Sequence, residues 1–97
     1  MQPTVVIWYV GTMVRKPITV ERVQTGIRME KRILRVLKAV AELHDLSLGD
    51  LLEGVVLHAF EGKCAFGKQT LGHIAQLKKI YKLDLDASAS HRLKEAP

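Results

Sequence analysis

The chain has 97 residues and a formal net charge of +5 at neutral pH, and 47% of it is hydrophobic. That excludes a wholly disordered polymer and leaves room for a single small domain with tails. Aromatic residues make up only 5% of the chain, so the expected core is aliphatic, and Cys64 has no second cysteine to form an intrachain disulfide, which suits a reducing cytosol.

Residues 1–14, MQPTVVIWYVGTMV, carry no charge and are rich in β-branched and aromatic residues. We expect a short strand or arm packed on the body. The alternative is an extension ahead of the folded chain, since Met13-Val14-Arg15-Lys16 reads as an ordinary start. The apolar run from Thr4 to Val14 is too short to span a bilayer, and Arg15 and Lys16 follow it rather than lead it, unlike a signal peptide. The expected protein is soluble and cytoplasmic, with no membrane partner. Residues 1–21 are read as an N-terminal arm.

The charge is segregated. Residues 15–38 hold eight Lys or Arg against Glu21 and Glu30, a net of +6; residues 39–62 hold five acidic residues and no Lys or Arg, a net of −5; residues 63–97 return to +4. A basic segment of this kind suits a nucleic acid or another anionic surface.

From Val23 to Met29 the residues alternate. Val23, Thr25, Ile27 and Met29 face one way, and Gln24, Gly26 and Arg28 the other, with Arg22 leading in on the second side. Period two is the mark of a half-buried strand. No partner strand follows, and a lone strand is not stable alone. Pairing the strands of two copies would satisfy it.

The period then changes. Helix A is predicted from about Glu30 to His44, with an apolar stripe of Ile33, Leu37, Val40 and Ala41 widened by Leu34, Val36 and Leu43. Lys31, Arg32, Arg35 and Lys38 fill its polar side. Helix B is capped by Ser47, continues to Glu61 with Leu48, Leu51, Leu52, Val55, Val56 and Ala59 as its stripe, and stops at Gly62. After a loop to Gln69, Thr70 is read as the cap of a third helix from Leu71 to about Lys82, and residues 84–97 as a fraying tail. Gly54 and Leu57 lie off the stripe of helix B, so the third helix, with Phe66, is expected to fold over that outer side.

The run from Gln24 to Phe60 resembles the ribbon-helix-helix fold of the Arc and methionine repressors. The resemblance rests on the strand ending Ile27-Arg28-Met29, on Ile33 four residues later, on Val40-Ala41-Glu42 near the end of helix A, and on Ser47 opening a helix that carries Leu51, Leu52, Val55, Val56, Ala59 and Phe60. It implies a mainly α protein. Residues 22–62 would form an intertwined homodimer around a short antiparallel β-ribbon, with residues 63–97 adding a C-terminal helix and tail. It further implies a sequence-specific DNA-binding transcriptional regulator, a repressor or autoregulator, whose ribbon enters the major groove of double-stranded DNA. By position, Gln24, Gly26 and Arg28 would read bases. Ser47, Leu48 and Gly49 would hold phosphate, flanked by Arg22 and Lys31. The chemistry agrees: Arg bonds guanine bidentately, Gln does so to adenine, and a helix N-terminus binds anions. Gly26 offers no side chain, and Glu30 places a carboxylate where it could pair with Arg28 or Lys31.

Two other readings stand beside this one. The protein could be an antitoxin or adaptor of the same fold whose residues 63–97 grip a protein partner, or a dimeric scaffold without DNA. The less favoured alternative for the alternating stretch is an ordinary sheet edge, with Arg22, Gln24 and Arg28 as a solvated face. His44, His58, His73, His91 and Cys64 match no close pairing of metal ligands, and no triad, carboxylate pair or phosphate loop appears, so neither enzyme activity nor a metal or cofactor is expected.

Overall fold

Glu30 is where the chain turns helical. Its carboxylate accepts a hydrogen bond from the Ile33 amide at 2.9 Å, which satisfies one of the four free amides that open any helix. A computed structural model describes residues 16–97. It contains α1 (Lys31–Leu43), α2 (Leu48–Phe60), α3 (Lys68–Ile80) and one 3-10 turn at Ala87–Ala89. The expected arm of residues 1–14 lies outside the described residues.

Each of the three helices ends in the same way. The residue after the cap takes a left-handed conformation, with φ of 55° at Asp45, 71° at Gly62 and 57° at Lys82. The next amide then reaches back across the turn: Leu46 to Ala41 at 2.9 Å, Lys63 to His58 at 2.9 Å, and Leu83 to Lys78 at 2.8 Å. These are Schellman closures, and they use carbonyls the helix cannot satisfy itself. Only Gly62 adopts its conformation without a Cβ penalty.

Helix α1 is the central element. It packs on α2 and on α3, which do not pack on one another. Val36, Val40 and Ala41 of α1 and Leu51 of α2 are buried, with Leu37, Val55, Phe66, Ile74, Leu77, Tyr81 and Leu83 packed around them. The two ends of the α1–α3 pair are pinned. His44 Nε2 lies 3.1 Å from Thr70 Oγ1 at one end. At the other, Arg32 donates to the Lys82 carbonyl and the Asp84 carboxylate, both at 3.0 Å. The two helices therefore run antiparallel.

Three expectations are corrected here. The fold is mainly α, but it is not ribbon-helix-helix. Among the described residues there is no β-strand, so there is no β-ribbon; residues 16–29 are irregular and exposed up to Arg28. Alternation supplies side-chain polarity, whereas a strand also needs a ladder partner, and the described residues of one copy offer none. The third helix is present, yet it docks on α1 and not over the outer side of α2. Among the described residues nothing comes within 4 Å of a Cβ built on Gly54, and Leu57 is 64% exposed. Finally, α3 is capped by Gly67 rather than Thr70. Thr70 sits in the first turn, buried, with its hydroxyl against His44; the tertiary contact outcompetes the local cap.

Candidate nucleic-acid interface

The cations divide into two sets. One set is tied to carboxylates. The Arg22 guanidinium bonds Glu53 through Nε at 2.9 Å and Nη2 at 2.8 Å, and reaches Asp50 at 3.0 Å. Asp50 and Glu53 are one turn apart on α2, so their carboxylates converge on the planar fork. The hydrogen bond to Glu53, followed by the charges of Glu53 and Asp50, raises the Arg22 pKa above its ordinary value, and the same bond lowers that of Glu53. Arg28 pairs with Glu95 of the C-terminal tail. Arg32 pairs with Glu30 at 2.9 Å and with Asp84 at 3.0 Å. Glu30 is held below the usual carboxylate range, first by the Ile33 amide and then by Arg32. It pairs with neither Arg28 nor Lys31.

The other set stands clear. Lys31, Arg35 and Lys38 are exposed on α1, and among the described residues none is in an ion pair within 4.0 Å. Their spacing of four and then three residues places them within about 60° of arc on a helix that turns roughly 100° per residue. Glu42 lies one turn beyond Lys38 and ends the stripe.

The residues expected to contact DNA fall as follows. Gln24, Gly26 and Arg28 are all exposed, but on irregular backbone rather than on a ribbon. Ser47 caps α2 by accepting from the Asp50 amide at 3.1 Å. Leu48 is half-buried and Gly49 exposed at the same helix opening. The structure brings Arg22 to this opening, since it bonds Asp50 in the first turn of α2. Lys31 is not brought there by any bond; it belongs to the stripe on α1.

Arg35 and Lys38 complete that stripe; with Lys31 and Arg32 they were read from the sequence as the polar side of helix A, and loss of Arg35 was expected to weaken binding on all sequences alike. Their i, i+4, i+7 relation to Lys31 was readable as soon as helix α1 was placed. The partners of Arg22 and Arg28, and Asp84 as the second partner of Arg32, were not readable, because they lie 28 to 67 residues away in sequence; Glu30, the first partner of Arg32, is two residues away.

Among the described residues no three of His, Cys, Asp or Glu come together as a metal site, and no helix is long and apolar enough to cross a membrane. No family model matches this chain, and neither the curated proteins nor the solved structures hold a significant match to it.

Proposed function

We propose that the protein is a DNA-binding regulator that engages the phosphate backbone through α1 and the basic segment ahead of it. The observation that carries this reading is the stripe of Lys31, Arg35 and Lys38, three exposed cations on one helix face with no carboxylate bonded to them. Phosphate contacts supply most of the affinity of such proteins and require cations free to replace counterions. The net +6 of residues 15–38 adds long-range attraction.

Arg22 and Arg28 are second-line contacts. Both are ion-paired, with side chains 62% and 83% exposed. Surface pairs of this kind are worth about 0–1 kcal/mol, so phosphate or a guanine edge competes with them at little cost. Base readout by Gln24 and Arg28 remains part of the proposal, as does anion binding at the Ser47-Leu48-Gly49 opening. Binding through residues 63–97 to a protein partner is less favoured, because Phe66, Ile74, Leu77 and Tyr81 of that region are already used against the core.

The test is a titration of the full chain against duplex DNA at several salt concentrations. Replacing Lys31, Arg35 and Lys38 by Ala should weaken binding about equally on all sequences and make the salt slope shallower by about 0.9 per lost phosphate contact, roughly 2.7 per chain. A wild-type chain that fails to bind DNA at low salt, or a triple variant with an unchanged slope, would remove the proposal.

A further inference from the structure

Residues 84–97 are small and polar, a composition expected to fray at a chain end. The structure instead gives most of them hydrogen-bonded partners. Asp86 opens the 3-10 turn at Ala87–Ala89 by accepting from the Ser88 amide at 3.0 Å. The Ala89 and Ser90 amides then close on the Asp86 and Ala87 carbonyls at 3.0 and 3.1 Å. His91 takes a left-handed conformation, with φ of 63°, which residues other than glycine enter rarely. Arg92 completes the coil, its amide on the Ala89 carbonyl and its guanidinium on the Ser88 carbonyl, both at 3.0 Å.

Both ends of this coil meet arginines at the start of α1. At one end Arg32 donates to the Lys82 carbonyl and the Asp84 carboxylate, each at 3.0 Å. At the other, the Arg28 fork takes both oxygens of Glu95, through Nε at 3.3 Å and through Nη2. Arg28 and Arg32 stand on either side of Lys31, the first cation of the stripe. A guanidinium fork accepts a carboxylate and a phosphate with the same bidentate geometry. We propose that the C-terminal coil regulates the DNA contact, with Glu95 holding the Arg28 fork in place of a phosphate until duplex DNA displaces it. This inference rests on the DNA-binding reading. Arg32, through Asp84 and the Lys82 carbonyl, anchors the coil, and Glu95 is the part that moves. The tether keeps Glu95 at a high effective concentration. The pair is open to water, with side chains 83% and 68% exposed, so a row of phosphates can replace it. The device therefore grades affinity and does not block binding.

The test titrates the full chain against duplex DNA at one low salt concentration. Glu95→Gln keeps Arg92 and Lys94 in place and should tighten binding about two- to fivefold, the span an exposed ion pair allows. In an Arg28→Ala background the same substitution should change affinity by less than about 1.5-fold, because Glu95 acts through Arg28. A general loss of negative charge would tighten binding in both backgrounds. Backbone order parameters of residues 91–95, from amide nitrogen relaxation, should fall from about 0.85 in the free protein to below about 0.6 at saturating DNA. If the wild type binds and Glu95→Gln binds no more tightly, or gains equally without Arg28, the inference is overturned and the DNA reading stands. If neither chain binds at low salt, the DNA reading fails and the inference falls with it.

Discussion

Val40 is 1% exposed and sits where α1 faces the core cluster that joins it to Leu51 of α2 and to Ile74 and Leu77 of α3. Val40→Ala removes two methyl groups. Their lost transfer from water is ~1.6 kcal/mol at ~0.8 per methylene-sized group. The cavity left between two neighbouring helices adds ~1 kcal/mol at ~24 cal/mol per Å³. The expected loss is about 2.5 kcal/mol, a large part of the roughly 5–15 kcal/mol that holds a small domain together. Among the described residues α2 and α3 each pack on α1 and not on one another, so α1 is the layer they share. The loss should therefore appear as one cooperative transition at lower urea, with an unchanged slope, in far-UV circular dichroism at fixed protein concentration. Ile18→Ala is the control; at 84% exposed it should shift stability by no more than about 0.5 kcal/mol. A Val40→Ala loss below about 1 kcal/mol, or two separate transitions, would refute the account of α1 as the shared layer.

Two glycines should respond with opposite sign. Gly72→Ala, in the middle of α3 with nothing within 4 Å of the added carbon, should stabilise by about 1 kcal/mol, whereas Gly62→Ala, at φ +71°, should cost about 1–2 kcal/mol in the same urea assay. The Glu30 cap should be visible in the acid limb of stability: its pKa is lowered in the folded chain, so its contribution is fully present above the ordinary carboxylate value of about 4.3 and is lost as the pH falls through the lowered value. Glu30→Gln should flatten that limb of the melting-temperature profile; an unchanged limb would show that the cap does not hold α1.

The features legible in the sequence are those set by neighbours a few residues apart. Ser47, Gly62 and the edges of α1 and α2 follow from caps and closures that span five residues or fewer. The apolar period of the third helix was legible too, and Ile74, Leu77 and Tyr81 do reach the core, although Leu71 is 47% exposed. What period cannot state is which helix the stripe meets. The signal lay in α1, whose apolar residues from Ile33 to Leu43 cover a wider arc than one neighbour needs. Thr70 misled because a hydroxyl before an apolar run is a good local cap, and only the fold brings His44 beside it. The alternation of residues 23–29 misled in a different way. It describes which side chains prefer water, and carries no information on whether a second strand exists. For the site, the stripe on α1 was readable from spacing. The carboxylates holding Arg22 and Arg28, and Asp84 on Arg32, arrive through tertiary structure, and no local rule could have named them; only Glu30 is a local partner of Arg32.

The charge segregation sets the proposed DNA contact on α1 and the segment ahead of it, and makes that contact testable by salt. Residues 39–62 carry a net of −5 and include all of α2, while residues 15–38, which include most of α1, carry +6 and supply the long-range attraction to a polyanion. Raising salt from about 0.05 to 0.2 M should weaken DNA binding by about tenfold for every 1.7 units of log-log slope. The Arg22 fork bonds both carboxylates of its own α2, so Asp50 and Glu53 are already matched by a cation and oppose an approaching phosphate less than their charges alone would. An affinity for duplex DNA that does not move over that salt range would mean that no counterions are exchanged, and the stripe on α1 would not be the contact.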